Sequence, residues 1–97
     1  MTRIGQFVVA PDHPCLPGHF PGHPIVPGVV LLDEALALIG THLPGVRLES
    51  ILAGKFLAAV RPGETVEVIC PPPARHRLEF ACTVAGAVVA RGTIRLA

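Results

Sequence analysis

Six prolines between Pro11 and Pro27 constrain this chain more than any other feature. Each removes a backbone donor, fixes φ and biases the residue before it away from helix, so the stretch admits neither a helix nor a central strand. It is too apolar and too rich in histidine for a flexible linker, which predicts an ordered, extended loop. Its second half, Gly18-His19-Phe20-Pro21-Gly22-His23-Pro24-Ile25-Val26-Pro27-Gly28, runs straight into Val29-Val30-Leu31-Leu32-Asp33-Glu34. Pro27-Gly28 reads as a helix start and Gly40 as a stop, which predicts a helix to about Ile39. Apolar residues at 29–32 and 35–39 leave it no polar face beyond Asp33 and Glu34, so it is expected to be buried by its surroundings.

The rest reads as β-structure. Ile4 to Ala10 is rich in β-formers and ends at Pro11, predicting a short edge strand. Leu43-Pro44-Gly45 turns the chain, and strands follow over Val46–Val60, Thr65–Cys70, Arg77–Ala85 and Ala87–Leu96. Val66, Val68 and Cys70 alternate with Thr65, Glu67 and Ile69, and Leu78, Phe80, Cys82 and Val84 alternate with Glu79, Ala81 and Thr83. Arg61-Pro62-Gly63-Glu64 and Ala85-Gly86 read as turns, and Pro71-Pro72-Pro73 as a surface loop. One strand, one helix and four antiparallel strands predict an α+β domain over residues 1–97, a curved antiparallel sheet wrapped round one long central helix.

Composition narrows the function classes. The chain of 97 residues is 51% hydrophobic and 15% charged, where about a quarter is usual, so part of its surface is expected to be hidden against another subunit. The apolar run from Ile25 to Ile39 is broken by Asp33 and Glu34 and falls short of the roughly 20 residues a membrane span needs. Met1-Thr2-Arg3 leads into no signal-peptide hydrophobic region, so a cytoplasmic protein is expected. A net charge of +1, with four Phe and no Trp or Tyr, argues against nucleic acid as a partner. Cys70 and Cys82 fall on alternating strands and read as core thiols. His13, Cys15, His19 and His23 cluster in the loop at spacings that match no common zinc pattern, so no metal is expected. His42 and His76 read as surface histidines.

Two groups invite a chemical reading. His19 precedes the turn, and Asp33 falls in the helix's second turn, with Val29, Val30, Leu36 and Ala37 as its helical neighbours. A carboxyl desolvated there would hold its proton, as a general acid needs, and a histidine near neutrality suits the complementary base. Such a pair fits elimination or hydration, one group removing a carbon-bound proton while the other protonates a leaving hydroxyl. The same residues equally fit a satisfied loop histidine and an acid at a subunit contact. Glu34 competes as the acid, but it points about 100° away from Asp33, so both cannot face one site.

Gly18-His19-Phe20-Pro21-Gly22-x-Pro24-Ile25-x-Pro27-Gly28-Val29 followed by Leu32-Asp33 closely resembles the signature of the 3-hydroxyacyl-acyl-carrier-protein dehydratases, which have the hot-dog fold. Lys55-Phe56 and Arg61-Pro62-Gly63-Glu64 resemble that family's second patch. The resemblance implies His19 as catalytic base and Asp33, reached from the partner subunit, as acid. It implies the Gly28 amide as the donor to the thioester carbonyl, with Phe20 and Val29 beside the substrate. The reaction implied is loss of water from a 3-hydroxyacyl thioester to the trans-2-enoyl product, with no metal or organic cofactor. The implied partners are an acidic acyl carrier protein, with Lys55, Arg61, Arg75, Arg77, Arg91 and Arg95 as the candidates for its docking patch, and a second hot-dog chain in a homodimer, a larger homo-oligomer or a heterodimer.

The sequence departs from that pattern at several positions. Most monofunctional members carry Glu where Asp33 stands, the dehydratase/isomerase branch carries Asp, and Ala37 stands where a Gln is frequent. Relative to longer members an N-terminal helix and strand are lacking, so the tunnel is expected to be open or completed by a partner. Short members of this kind resemble those of aryl-polyene and polyketide-like pathways. The two other readings are a hot-dog thioesterase, using Asp33 or Glu34 to activate water, and a non-catalytic scaffold subunit of a heterodimer.

Overall fold

A computed structural model describes residues 2–12, 25–45, 47–72 and 74–97. His13, Cys15, His19, Phe20 and His23 therefore lie outside the described residues, as does Pro73 of the triproline loop.

The alternating segments form the strands that their periodicity predicts. Among the described residues β1 spans Thr2–Val8, β2 Leu48–Phe56, β3 Thr65–Cys70, β4 Arg77–Val84 and β5 Ala87–Leu96, with one helix, α1, at Gly28–His42. All pairings are antiparallel, in the order β1-β3-β4-β5-β2, which puts β1 at an edge as expected and β2 at the other. The Ala85-Gly86 turn joins β4 to β5 with both residues at positive φ, 50° and 83°. That is the geometry whose twist matches a two-residue hairpin. Gly63, at φ 88°, turns the chain before β3. There Glu64 N–H donates to the Arg61 carbonyl and the Glu64 carboxylate accepts from Arg61 N–H at 2.7 Å.

The core lies between the inner face of the sheet and one stripe of α1. Val66, Val68 and Cys70 of β3, Leu78, Phe80 and Cys82 of β4, and Ala90, Ile94 and Leu96 of β5 meet Leu31, Ala35 and Ile39 of the helix. Each large aliphatic side chain buried this way contributes roughly 1.5–3 kcal/mol. Bulges between Arg3 and Gly5, and two in β2 flanking Ser50 and Ile51, bend the edge strands. Gly5 is where β1 and α1 approach: a Cβ there would stand 3.0 Å from Leu38 Cδ2 and 3.3 Å from His42 Cε1.

Three expectations are corrected. The helix does not stop at Gly40 but runs to His42. Leu43 N–H closes the last turn onto the Ile39 carbonyl, and Thr41 Oγ1 and His42 Nδ1 make added bonds at 3.0 Å to the Ala37 and Leu38 carbonyls. Pro44 and Gly45, the latter at φ 90°, lie beyond it. Nor is the helix buried all round. Val29, Asp33, Ala37 and Gly40 are exposed on this chain, because the sheet covers only the Leu31–Ala35–Ile39 side. Likewise β2 is shorter than the apolar run that predicted it, and all nine of its residues are exposed.

Candidate active site

The entry to the helix sets the site. α1 begins at Gly28, with Pro27 before it and Val30 N–H and Leu31 N–H both donating to the Pro27 carbonyl. Gly28 N–H is thus one of the amides that an α-helix leaves without an intrahelical acceptor, at the end carrying partial positive charge. Immediately before it, Val26 N–H donates to the Val60 carbonyl at 2.7 Å. That bond ties the loop to the segment after β2, so the two stretches that carry the resemblance meet. Leu57 N–H and Ala58 N–H, both donating to the Val89 carbonyl, hold the second stretch against β5.

A cavity of about 430 Å³ opens at this junction, lined by Ile25, Val26, Gly28, Leu31, Phe56 and residues 57–60. A second, of about 50 Å³ and almost wholly apolar, lies between helix and sheet among Leu31, Leu32, Gly54, Phe56, Phe80 and Cys82. A depression of about 390 Å³ on the outer face of the sheet, beside Ile69, Glu79 and Arg91, holds none of the expected site residues.

Of those expected residues, the structure describes three. Gly28 opens the helix, Val29 is 66% exposed, and Asp33 is exposed one turn further on. The expectation of a desolvated Asp33 is corrected for the single chain. Leu38 lies over Gly5 of β1 and Leu32 shares the small cavity with Gly54 and Phe56 of β2, which leaves Asp33 on the face that neither side covers. Glu34, half-buried, sits about 100° round toward the β1 side, so the two acids do face different surroundings. His42 and His76 are exposed as expected, and Cys70 and Cys82 are buried free thiols. Burial, with Cys70 adding to it, pushes the Cys82 thiol up to about 11.

In the sequence Phe56 stands out only as half of the Lys55-Phe56 pair. In the structure its ring lies directly over Gly28, so that a Cβ on Gly28 would come within 2.9 Å of Phe56 Cζ. The shared occurrence of both residues in the two matching patches was the available signal.

The electrostatics are uneven. Among the described residues Arg3–Glu67, at 3.3 Å and exposed, is the one ion pair. On the outer face Arg77 stands directly opposite Arg95, and Lys55 opposite Arg91. Like charges so paired repel unless an anion meets them.

The family model described as ApeI dehydratase, ApeI-like, matches residues 2–93. The chain belongs to the ApeI-like dehydratase family. It is 39% identical over 77 residues to a 3-hydroxyacyl-[acyl-carrier-protein] dehydratase FabZ of Chloroflexus aggregans, covering 70% of this chain and 53% of that one. It is 33% identical to the FabZ of Herpetosiphon aurantiacus over 100% of this chain and 77% of the relative. The chain thus spans about half the length of the first of these relatives. A chain of the dehydratase heterocomplex ApeI:P from Xenorhabdus doucetiae superposes with a TM-score of 0.78 at 30% identity, over 94% of this chain and 82% of its own. The five-stranded antiparallel sheet on one helix is the hot-dog fold of these dehydratases, as the resemblance implies.

Proposed function

We propose that the protein is a hot-dog dehydratase that removes water from a 3-hydroxyacyl thioester borne on an acyl carrier protein, in the cytoplasm, in fatty-acid or polyketide-like lipid synthesis. His19 takes the proton at C2. Asp33 of a second copy gives a proton to the departing C3 hydroxyl, releasing water and leaving the trans-2-enoyl thioester. The Gly28 amide donates to the thioester carbonyl oxygen, where negative charge develops as the C2 proton leaves. Phe20 and Val29 flank the acyl group.

The observation that carries this reading is the position of Asp33. It is an acid on the uncovered face of α1, one turn beyond the helix start that offers the Gly28 amide, and its exposed neighbours on that face, Val29 and Ala37, are apolar. A carboxyl so placed meets its chemistry only when another surface closes over it. β2 supplies the means of bringing that surface. It is an edge strand with Leu48, Ile51, Leu52 and Phe56 all exposed, the kind of apolar edge that pairs with another chain. Two copies related by a twofold axis would continue the sheet through β2 and bring the helix faces together. The cation pairs Arg77/Arg95 and Lys55/Arg91 fit an acidic carrier protein as the anion that relieves them.

The Xenorhabdus neighbour comes from a dehydratase heterocomplex, which favours a second assembly, with a different chain in place of the second copy. Light scattering on the purified protein, alone and with a co-expressed second hot-dog chain, distinguishes the two.

The test of function is turnover of a carrier-bound 3-hydroxyacyl thioester, followed by the absorbance of the conjugated enoyl product. Activity in the wild type and its loss in a folded His19→Ala variant is the expected result. Undiminished dehydration by His19→Ala would sink the assignment.

A further inference from the structure

We infer that Phe56 is the partition that limits how far an acyl chain can penetrate, and so sets chain-length preference; this rests on the dehydratase reading above. Phe56 and Leu31 line both the cavity at the helix start and the small apolar cavity between helix and sheet. They are the shared wall. The reacting thioester belongs at the helix start beside the Gly28 amide, and the inner cavity, among Leu32, Gly54, Phe80 and Cys82, is the adjacent apolar space for the tail.

The two halves of the wall differ in freedom. Leu31 is 3% exposed and held in the core, whereas Phe56 is 54% exposed near the end of an edge strand. The ring of Phe56 rests on a residue with no side chain: a Cβ at Gly28 would stand 2.9–3.1 Å from three of its carbons. Any larger residue at 28 would displace the ring. Two positions back on the same face of β2, Gly54 has nothing within 4 Å of where its Cβ would be, so there is open space beside the ring. Phe56 is therefore the half of the wall that can be cut back without opening the core, and removing it joins the two cavities.

The test compares wild type with Phe56→Ala and Phe56→Leu on a graded series of 3-hydroxyacyl pantetheine thioesters, reading kcat/KM for each length. The ratio of long-chain to short-chain kcat/KM is expected to rise about tenfold or more in Phe56→Ala, the scale at which pocket methylenes discriminate, and less in Phe56→Leu. A parallel arm measures binding of saturated acyl pantetheine analogues by calorimetry, with the same ordering expected in Kd. If no thioester is dehydrated by any form, the dehydratase reading fails and the binding arm alone decides the role of Phe56. An unchanged length profile in folded variants, in turnover where there is turnover and in binding where there is none, overturns the inference.

Discussion

The ring of Phe80 on β4 lies across Gly92, its register partner on β5, so closely that a Cβ at Gly92 would stand 2.7 Å from Phe80 Cε1 and 2.9 Å from the Ala53 carbonyl oxygen. The ring covers the backbone that glycine leaves bare, an aromatic covering of a strand glycine. Gly92→Ala must push the ring or part β5 from β2, and overpacking of this kind costs about 1–3 kcal/mol. Urea denaturation of the variant is expected to show a midpoint lowered accordingly with the slope kept. An unchanged midpoint would mean that the ring moves freely.

The exposed apolar edge of β2 predicts association. Replacing Ile51, 48% exposed on that strand, by Lys places a charge where two edges would meet, a device that blocks edge pairing. Sedimentation is expected to show the wild type as a multimer and Ile51→Lys shifted toward the single chain with its circular dichroism retained. A variant that associates as well as the wild type would move the interface elsewhere.

Local patterning made much of this fold legible. Thr65–Cys70 and Ala87–Leu96 form as read: strict alternation marks the first, and the two-residue Ala85-Gly86 turn starts the second, whose register to β4 then shifts at Val89. Gly40 does not end the helix because a glycine stop needs the left-handed conformation, and here the positive φ falls at Gly45, beyond His42. Asp33 misled for a different reason. An apolar stripe states that a face will be covered, not whether its own chain or another covers it. The contact of Phe56 with Gly28 joins residues far apart in sequence, and no local periodicity carries that information.

Cys82 predicts an alkaline weakness. Its thiol, raised from 9.0 to about 11 by burial and then by Cys70, stays protonated in the fold while the unfolded chain ionises. Between those values the unfolded state binds fewer protons, so stability is full below pH 9 and falls as pH rises toward 11, by roughly 2 kcal/mol. The chain has no Tyr and its only Lys is Lys55, so the other groups that titrate there are chiefly its two remaining thiols, of which Cys70 is raised by burial in the same direction. Urea midpoints measured from pH 8 to 11 are expected to fall in the wild type and to fall less steeply in Cys82→Ala. Parallel profiles would contradict the assignment.

In the proposed site His19 of one chain works with Asp33 of another. That pairing is tested by mixing inactive His19→Ala with inactive Asp33→Asn, after unfolding and refolding together. In a mixed dimer one of the two sites regains both wild-type residues, so about a quarter of wild-type activity is expected from random pairing of two copies. Mixtures as inactive as either variant alone, with mixed dimers shown to form, would place the pair within one chain and contradict the account.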